Sequence, residues 1–110
     1  MITETEVEKA CDFLRTNARH LAKAKAERTY LIEFRKSKKA ILIQQAGEGT
    51  AQSKEAFAYS HPEYLEVLQG IRKAVEIEER LHWLMVEAQV RVDLFRTMEA
   101  SNRRVDKAHQ

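Results

Sequence analysis

The chain has 110 residues, which is the size of one small domain with room for a single core. Only three Gly and one Pro interrupt a composition that is 44% hydrophobic and 33% charged, so most β architectures are excluded and long amphipathic helices are favoured. Nineteen Lys and Arg against seventeen Asp and Glu give a formal net charge of +2, too small to indicate a nucleic-acid partner from overall charge alone.

The first predicted element is a long helix over about residues 4–46. Thr3 and Glu6 have the spacing of a capping box at its start, and no helix breaker follows before Ala46. A helix of roughly 40 residues is about 60 Å long, so it needs a partner along its side. Apolar residues at alternating spacings of four and three predict the packed seam, which is the side of this helix that contacts its partner: Val7, Cys11, Leu14, Ala18 and Leu21. Lys25 then interrupts the seam.

A connection over residues 47–60 comes next. Gly47 and Gly49 end the first helix and turn the chain, and residues 53–59 are expected to form a short helical link. Ser60 and Glu63 have the spacing of a second capping box with a Pro in the first turn, which predicts another long helix over about residues 61–105. Residues 1–110 are therefore predicted to form one all-α domain, a long antiparallel helical hairpin.

The second helix carries more apolar side chains than one packed stripe needs, and two helices cannot cover that much apolar surface. We therefore expect a homo-oligomer, with a dimer favoured, in which hairpins associate into a four-helix bundle or a higher oligomer. The side chains that widen the apolar surface are Leu65, Val67, Ile77, Trp83, Val86, Val90 and Leu94.

Polar residues of both helices coincide near the middle of such a hairpin. Glu79 and His82 form an E-x-x-H spacing, and with Glu27 they resemble half of a di-metal carboxylate site in a four-helix bundle. The alternative is an ion-pair cluster, since Lys25 and Arg28 neutralise carboxylates without a metal, and this alternative is favoured. No cofactor is expected, and no catalytic motif is present, so the protein is predicted not to be an enzyme.

The first helix is distinctly basic. Phosphate contacts from such a helix would be salt-sensitive and independent of sequence. Acidic residues such as Glu63 and Glu66 are expected nearby in the hairpin, so ordinary ion pairing accounts for most of this charge. The basic residues that form the candidate surface for nucleic acid or a protein partner are Arg15, Arg19, Lys23, Arg35, Lys36, Lys38 and Lys39.

No apolar run approaches the roughly 18 residues that span a bilayer. The acidic start of the chain is unlike a signal peptide, and Cys11 is the single cysteine. We therefore expect a cytoplasmic protein without a membrane partner.

Four segments, residues 33–40, 59–64, 78–85 and 102–107, resemble small helical proteins of tailed phages and prophages. Such proteins tend to be encoded near recombination or replication genes. The resemblance implies an accessory role in phage DNA metabolism in the host cytoplasm, exercised by binding DNA or a recombination protein of the phage or host. It assigns no functional residues, and a purely structural self-assembling protein remains the alternative.

Overall fold

A computed structural model describes residues 1–109 and contains three helices in that range: α1 (Glu4–Gln45), α2 (Ala51–Ser60) and α3 (Pro62–Ala108). No strand occurs among these residues. The all-α prediction of two long helices and a short connecting helix is therefore confirmed. No helix among residues 1–109 combines the length and apolar character that crossing a membrane requires.

Local signals set both ends of α1 as predicted. The Glu6 N–H donates to Thr3 Oγ1 at 3.2 Å and the Thr3 N–H donates to Glu6 Oε2 at 3.4 Å, which completes the capping box. After α1 ends, Gly47 adopts a φ of +74°, which glycine reaches without the penalty that a Cβ imposes. The Ala46 N–H donates to the Leu42 carbonyl at 3.0 Å and so closes the last turn.

The boundary between α2 and α3 differs from the prediction. Ser60 belongs to α2, where its hydroxyl donates to the Ala56 carbonyl at 2.7 Å. His61 caps α3 instead, since the Glu63 N–H donates to His61 Nδ1 at 3.1 Å. The predicted capping box at Ser60 is therefore wrong, because the residue that caps α3 is His61, one position later. His61 has the extended backbone that a following Pro favours, and Pro62 then opens α3.

The chain forms two compact units, and each one contains a segment of α1 and a segment of α3. Unit 1 comprises residues 1–21 and 79–109, and its core is formed by Ala10, Ala88 and Val92. Unit 2 comprises residues 22–78, and its core is formed by Leu42, Ala58 and Tyr64. Ala58 is the buried residue of α2, so the short helix closes the core of unit 2.

Alanine occupies the most buried positions where the long helices meet. Ala10 and Ala24 of α1 and Ala74 and Ala88 of α3 are all buried. Small side chains at the contact let two helix axes approach closely. The predicted seam was therefore partly wrong: Cys11 and Ala18 are exposed, and Ala10, Asn17 and Ala24 face inward instead.

Candidate nucleic-acid interface

Two polar residues near the middle of the long helices, Arg28 and Glu78, form an ion pair in unit 2. Arg28 Nε and Nη2 both donate to the carboxylate of Glu78, the latter at 3.2 Å. Glu78 is buried at 8% exposure, and two parallel N–H···O bonds give such a pair a defined geometry. The pair therefore fixes the register of α1 against α3 within this unit.

The residues of the di-metal hypothesis have other partners. The Glu79 carboxylate accepts a hydrogen bond from Trp83 Nε1 at 3.2 Å. The His82 ring lies edge-on to Trp83 with centroids 5.2 Å apart, and Glu27 is exposed. Across residues 1–109 no group of three or more His, Cys, Asp or Glu side chains is arranged to hold a metal ion, so the geometry does not support a metal site at Glu27, Glu79 and His82.

The predicted basic residues are divided between the two units. Arg15 and Arg19 belong to unit 1, whereas Lys23 and the four cations from Arg35 to Lys39 belong to unit 2. Arg15 pairs with Asp12, Lys36 with Glu33 at 3.3 Å, and Lys38 with Glu63 at 2.9 Å. Lys23 precedes Arg35 by about 18 Å along α1, so it does not join the cations near Arg35.

Three of the predicted cations converge on one cavity of unit 2. A cavity of about 310 Å³, here called the basic niche, is lined by Arg35, Lys36, Lys39, Tyr59 and Tyr64. Lys39 Nζ lies 4.6 Å from the centroid of the Tyr59 ring, which is the geometry of a cation–π contact. Tyr59 meets Tyr64 edge-on with ring centroids 5.4 Å apart. No carboxylate is among the lining residues.

The electrostatics of the basic niche favour an anion. Lys39 lies 3.8 Å from Glu55, but Arg35 forms no ion pair with any residue in the range 1–109. The pKa of Lys39 is raised, chiefly by a hydrogen bond to the Tyr59 side chain and further by the charge of Glu55. The ammonium therefore stays charged at neutral pH, and the Arg35 guanidinium beside it has no carboxylate partner within the described range.

Sequence reasoning identified the three cations of the niche but missed its two tyrosines. Tyr64 is buried against Leu42, and Tyr59 reaches Lys39 only because α2 folds back onto the end of α1. A signal was nevertheless present, since Lys39 follows Lys36 by three residues and Arg35 by four, which places it beside both on one side of a helix.

A second exposed surface lies on α3 in unit 1. Trp83, Val86, Val90 and Leu94, here called the outer stripe, follow one another at spacings of three or four residues. They lie opposite the side of α3 that carries the buried residues Ala88 and Val92. The outer stripe is thus apolar surface that the described chain leaves uncovered.

Comparison of the chain with protein-family models, with curated proteins and with solved structures found no match. The function of the protein is therefore inferred from the basic niche and the outer stripe themselves.

Proposed function

We propose that this protein is a non-catalytic helical accessory protein that binds nucleic acid through the basic niche. The observation that carries the proposal is the convergence of Arg35, Lys36 and Lys39 on a cavity without a carboxylate in its lining. The guanidinium of Arg supplies a fork that matches two phosphate oxygens, and Lys supplies compact positive charge. Tyrosine hydroxyls are a further common source of phosphate contacts.

The niche suits single-stranded nucleic acid better than a duplex. Its cations are concentrated at one cavity, whereas duplex binding uses contacts distributed along a groove and two backbones. The exposed ring of Tyr59 borders the same cavity, and an aromatic ring beside a phosphate contact is the usual platform on which an unpaired base stacks. Binding is therefore expected to depend on salt and to be largely independent of sequence.

The proposed setting is the host cytoplasm, in phage recombination or replication. The resemblance of four segments to small helical proteins of tailed phages and prophages supports this setting. Self-association is part of the proposal, because the outer stripe supplies apolar surface for a contact between protein chains.

The test is fluorescence anisotropy of a labelled oligothymidine titrated with protein at low and moderate salt. Arg35→Glu is expected to weaken binding by about tenfold or more, because it removes a phosphate ligand and places a carboxylate in the niche. Affinity should also become less sensitive to salt. The magnitude of the negative slope of log affinity against log salt concentration should fall by roughly 0.7 for each phosphate that the variant no longer binds.

Lys23→Glu is the matched control, since it changes the net charge equally at an exposed position of unit 2 outside the niche. It should change affinity far less than Arg35→Glu, and circular dichroism should show both variants folded. An unchanged binding curve for Arg35→Glu, or equal losses in the two variants, would overturn the proposed site.

A further inference from the structure

The outer stripe has the composition of an interface centre. Trp83 is 63% exposed, and Val90 and Leu94 are each exposed over about half of their surface, at 48% and 50%. Tryptophan is among the side chains that most often supply binding energy between proteins, and neighbouring contacts contribute by excluding water. The structure therefore offers a partner an apolar centre about three helical turns long.

Trp83 is held in place before any partner arrives. Its indole N–H already donates to Glu79 at 3.2 Å, so burying the ring leaves no polar atom unsatisfied. The His82 ring packs edge-on against it, which limits rotation of the side chain. A large side chain fixed in advance loses little conformational entropy on binding.

Paired polar side chains flank the outer stripe on both sides. On one flank Arg91 Nη2 donates to Glu87 Oε1 at 3.1 Å. On the other flank Gln89 Nε2 donates to Asp93 Oδ1 at 3.0 Å. These groups form a polar rim around the apolar centre, and the charges in the rim restrict which partner fits.

We propose that the outer stripe binds the outer stripe of a second copy of this chain, with the two α3 helices antiparallel about a two-fold axis between Val86 and Val90. This arrangement places Trp83 against the partner's Leu94 and Val86 against the partner's Val90. A two-fold axis of this kind keeps each flank of the helix against the same flank of the partner. Glu87 then meets the partner's Arg91.

Charge complementarity selects a second copy as the occupant. On the first flank each carboxylate of Glu87 gains a second guanidinium, and the symmetry produces this contact twice. On the other flank the His82 ring, which can donate a hydrogen bond, meets the carboxylate of the partner's Asp93. The surface is therefore complementary to itself in this arrangement.

The apolar area of the outer stripe determines how tightly the dimer is expected to associate. Its four side chains expose on the order of 400 Å² of apolar surface, about half of the roughly 800 Å² that each partner buries in a standard interface. The polar rim adds further area, so we expect a reversible dimer with a dissociation constant of roughly micromolar order. This inference rests on the self-association in the proposed function and is independent of nucleic-acid binding.

The first test is sedimentation velocity over a wide range of protein concentrations, with Trp83 fluorescence recorded on the same samples. Trp83 is the only tryptophan, so its emission should shift to shorter wavelength as the dimer forms. Trp83→Gln and Val90→Glu are each expected to weaken dimerisation by about tenfold or more. Leu65→Gln, an exposed apolar position of unit 2, is the matched control and should leave the dimer unchanged.

The second test is a charge swap on the flank. Glu87→Arg and Arg91→Glu should each weaken the dimer, because like charges then meet across the two-fold axis. The double variant should restore dimerisation, since both the intrahelical pair and the contacts between chains are rebuilt in reverse. Helical content measured by circular dichroism separates loss of the intrahelical pair from loss of the dimer.

These experiments test the outer stripe as the interface separately from self-association of the chain. An oligomer that is indifferent to Trp83→Gln, Val90→Glu and the charge swaps overturns the outer stripe as its interface and leaves self-association standing. A chain that stays monomeric at every concentration overturns both. Binding of a short oligothymidine, which a single niche can hold, is measured separately and does not depend on dimerisation.

Discussion

Lys38 and Glu63 connect the end of α1 to the first turn of α3. Lys38 Nζ lies 2.9 Å from Glu63 Oε2, and this hydrogen bond is the main cause of the lowered pKa of Glu63. The charge of Lys38 lowers the same pKa further. Glu63 also lies in the first turn of a helix, where the macrodipole favours a negative charge.

The Lys38–Glu63 pair makes the free energy of unfolding depend on pH, with stability decreasing as the solution becomes more acidic. A carboxyl group with a lowered pKa in the folded state contributes stability that is present above its unfolded pKa and is lost as pH falls through its folded pKa. We expect Lys38→Met to make the urea midpoint less dependent on pH below about pH 5. Lys54→Met, which removes a cation that has no ion pair among residues 1–109, is the control. Identical pH profiles for Lys38→Met and the parent protein would contradict the assignment.

At the scale of the helices, Arg28 and Glu78 link α1 to α3 within unit 2 and fix the register of the two helices there. Removing one partner of a buried pair leaves an uncompensated charge, whereas replacing both with apolar groups is often neutral. Glu78→Ala should lower the free energy of unfolding by about 1–3 kcal/mol, a range reduced because Arg28 is partly exposed. The double variant Arg28→Met/Glu78→Leu should recover most of this loss in urea unfolding. A double variant as unstable as Glu78→Ala would mean that the pair stabilises the unit more than an apolar contact does.

The helices themselves were predictable because so few residues oppose them. The Thr3 capping box and the glycines after Gln45 act locally, so their effect is visible in the sequence. The packed side of α1 was harder to predict, because Ala10 and Cys11 are both small and only the approach of α3 selects between them. His61 was missed as a cap for a related reason, since Ser60 satisfies the same pattern but is used within α2.

The candidate site was predicted in part. Arg35, Lys36 and Lys39 were identified from charge spacing alone, but Arg15 and Arg19 fall in the other unit. Tyr59 was not predicted, because it reaches Lys39 only through the return of α2, which is a tertiary contact. Local charge patterns therefore identify cations, whereas the cavity that concentrates them depends on the fold.

At the scale of the whole molecule, the two proposed surfaces lie in separate units. The basic niche belongs to unit 2, and the outer stripe belongs to unit 1. A dimer formed through the outer stripe carries two copies of the niche. Two linked sites bind a long strand more tightly than one site does, because the second contact becomes intramolecular.

This doubling predicts a dependence on strand length that one chain alone would not show. Trp83→Gln, whose dimerisation is expected to be weakened, should bind an oligothymidine of roughly six nucleotides as well as the parent protein does, because each niche is intact. For a strand of roughly 60 nucleotides its affinity should fall by about tenfold or more, since only the dimer engages two sites at once. Leu65→Gln should match the parent protein on both strands, and anisotropy at one fixed salt concentration measures all six combinations. Equal losses on the short and long strands would mean that Trp83 contacts nucleic acid directly, and equal affinities throughout would mean that the two niches cannot be engaged together.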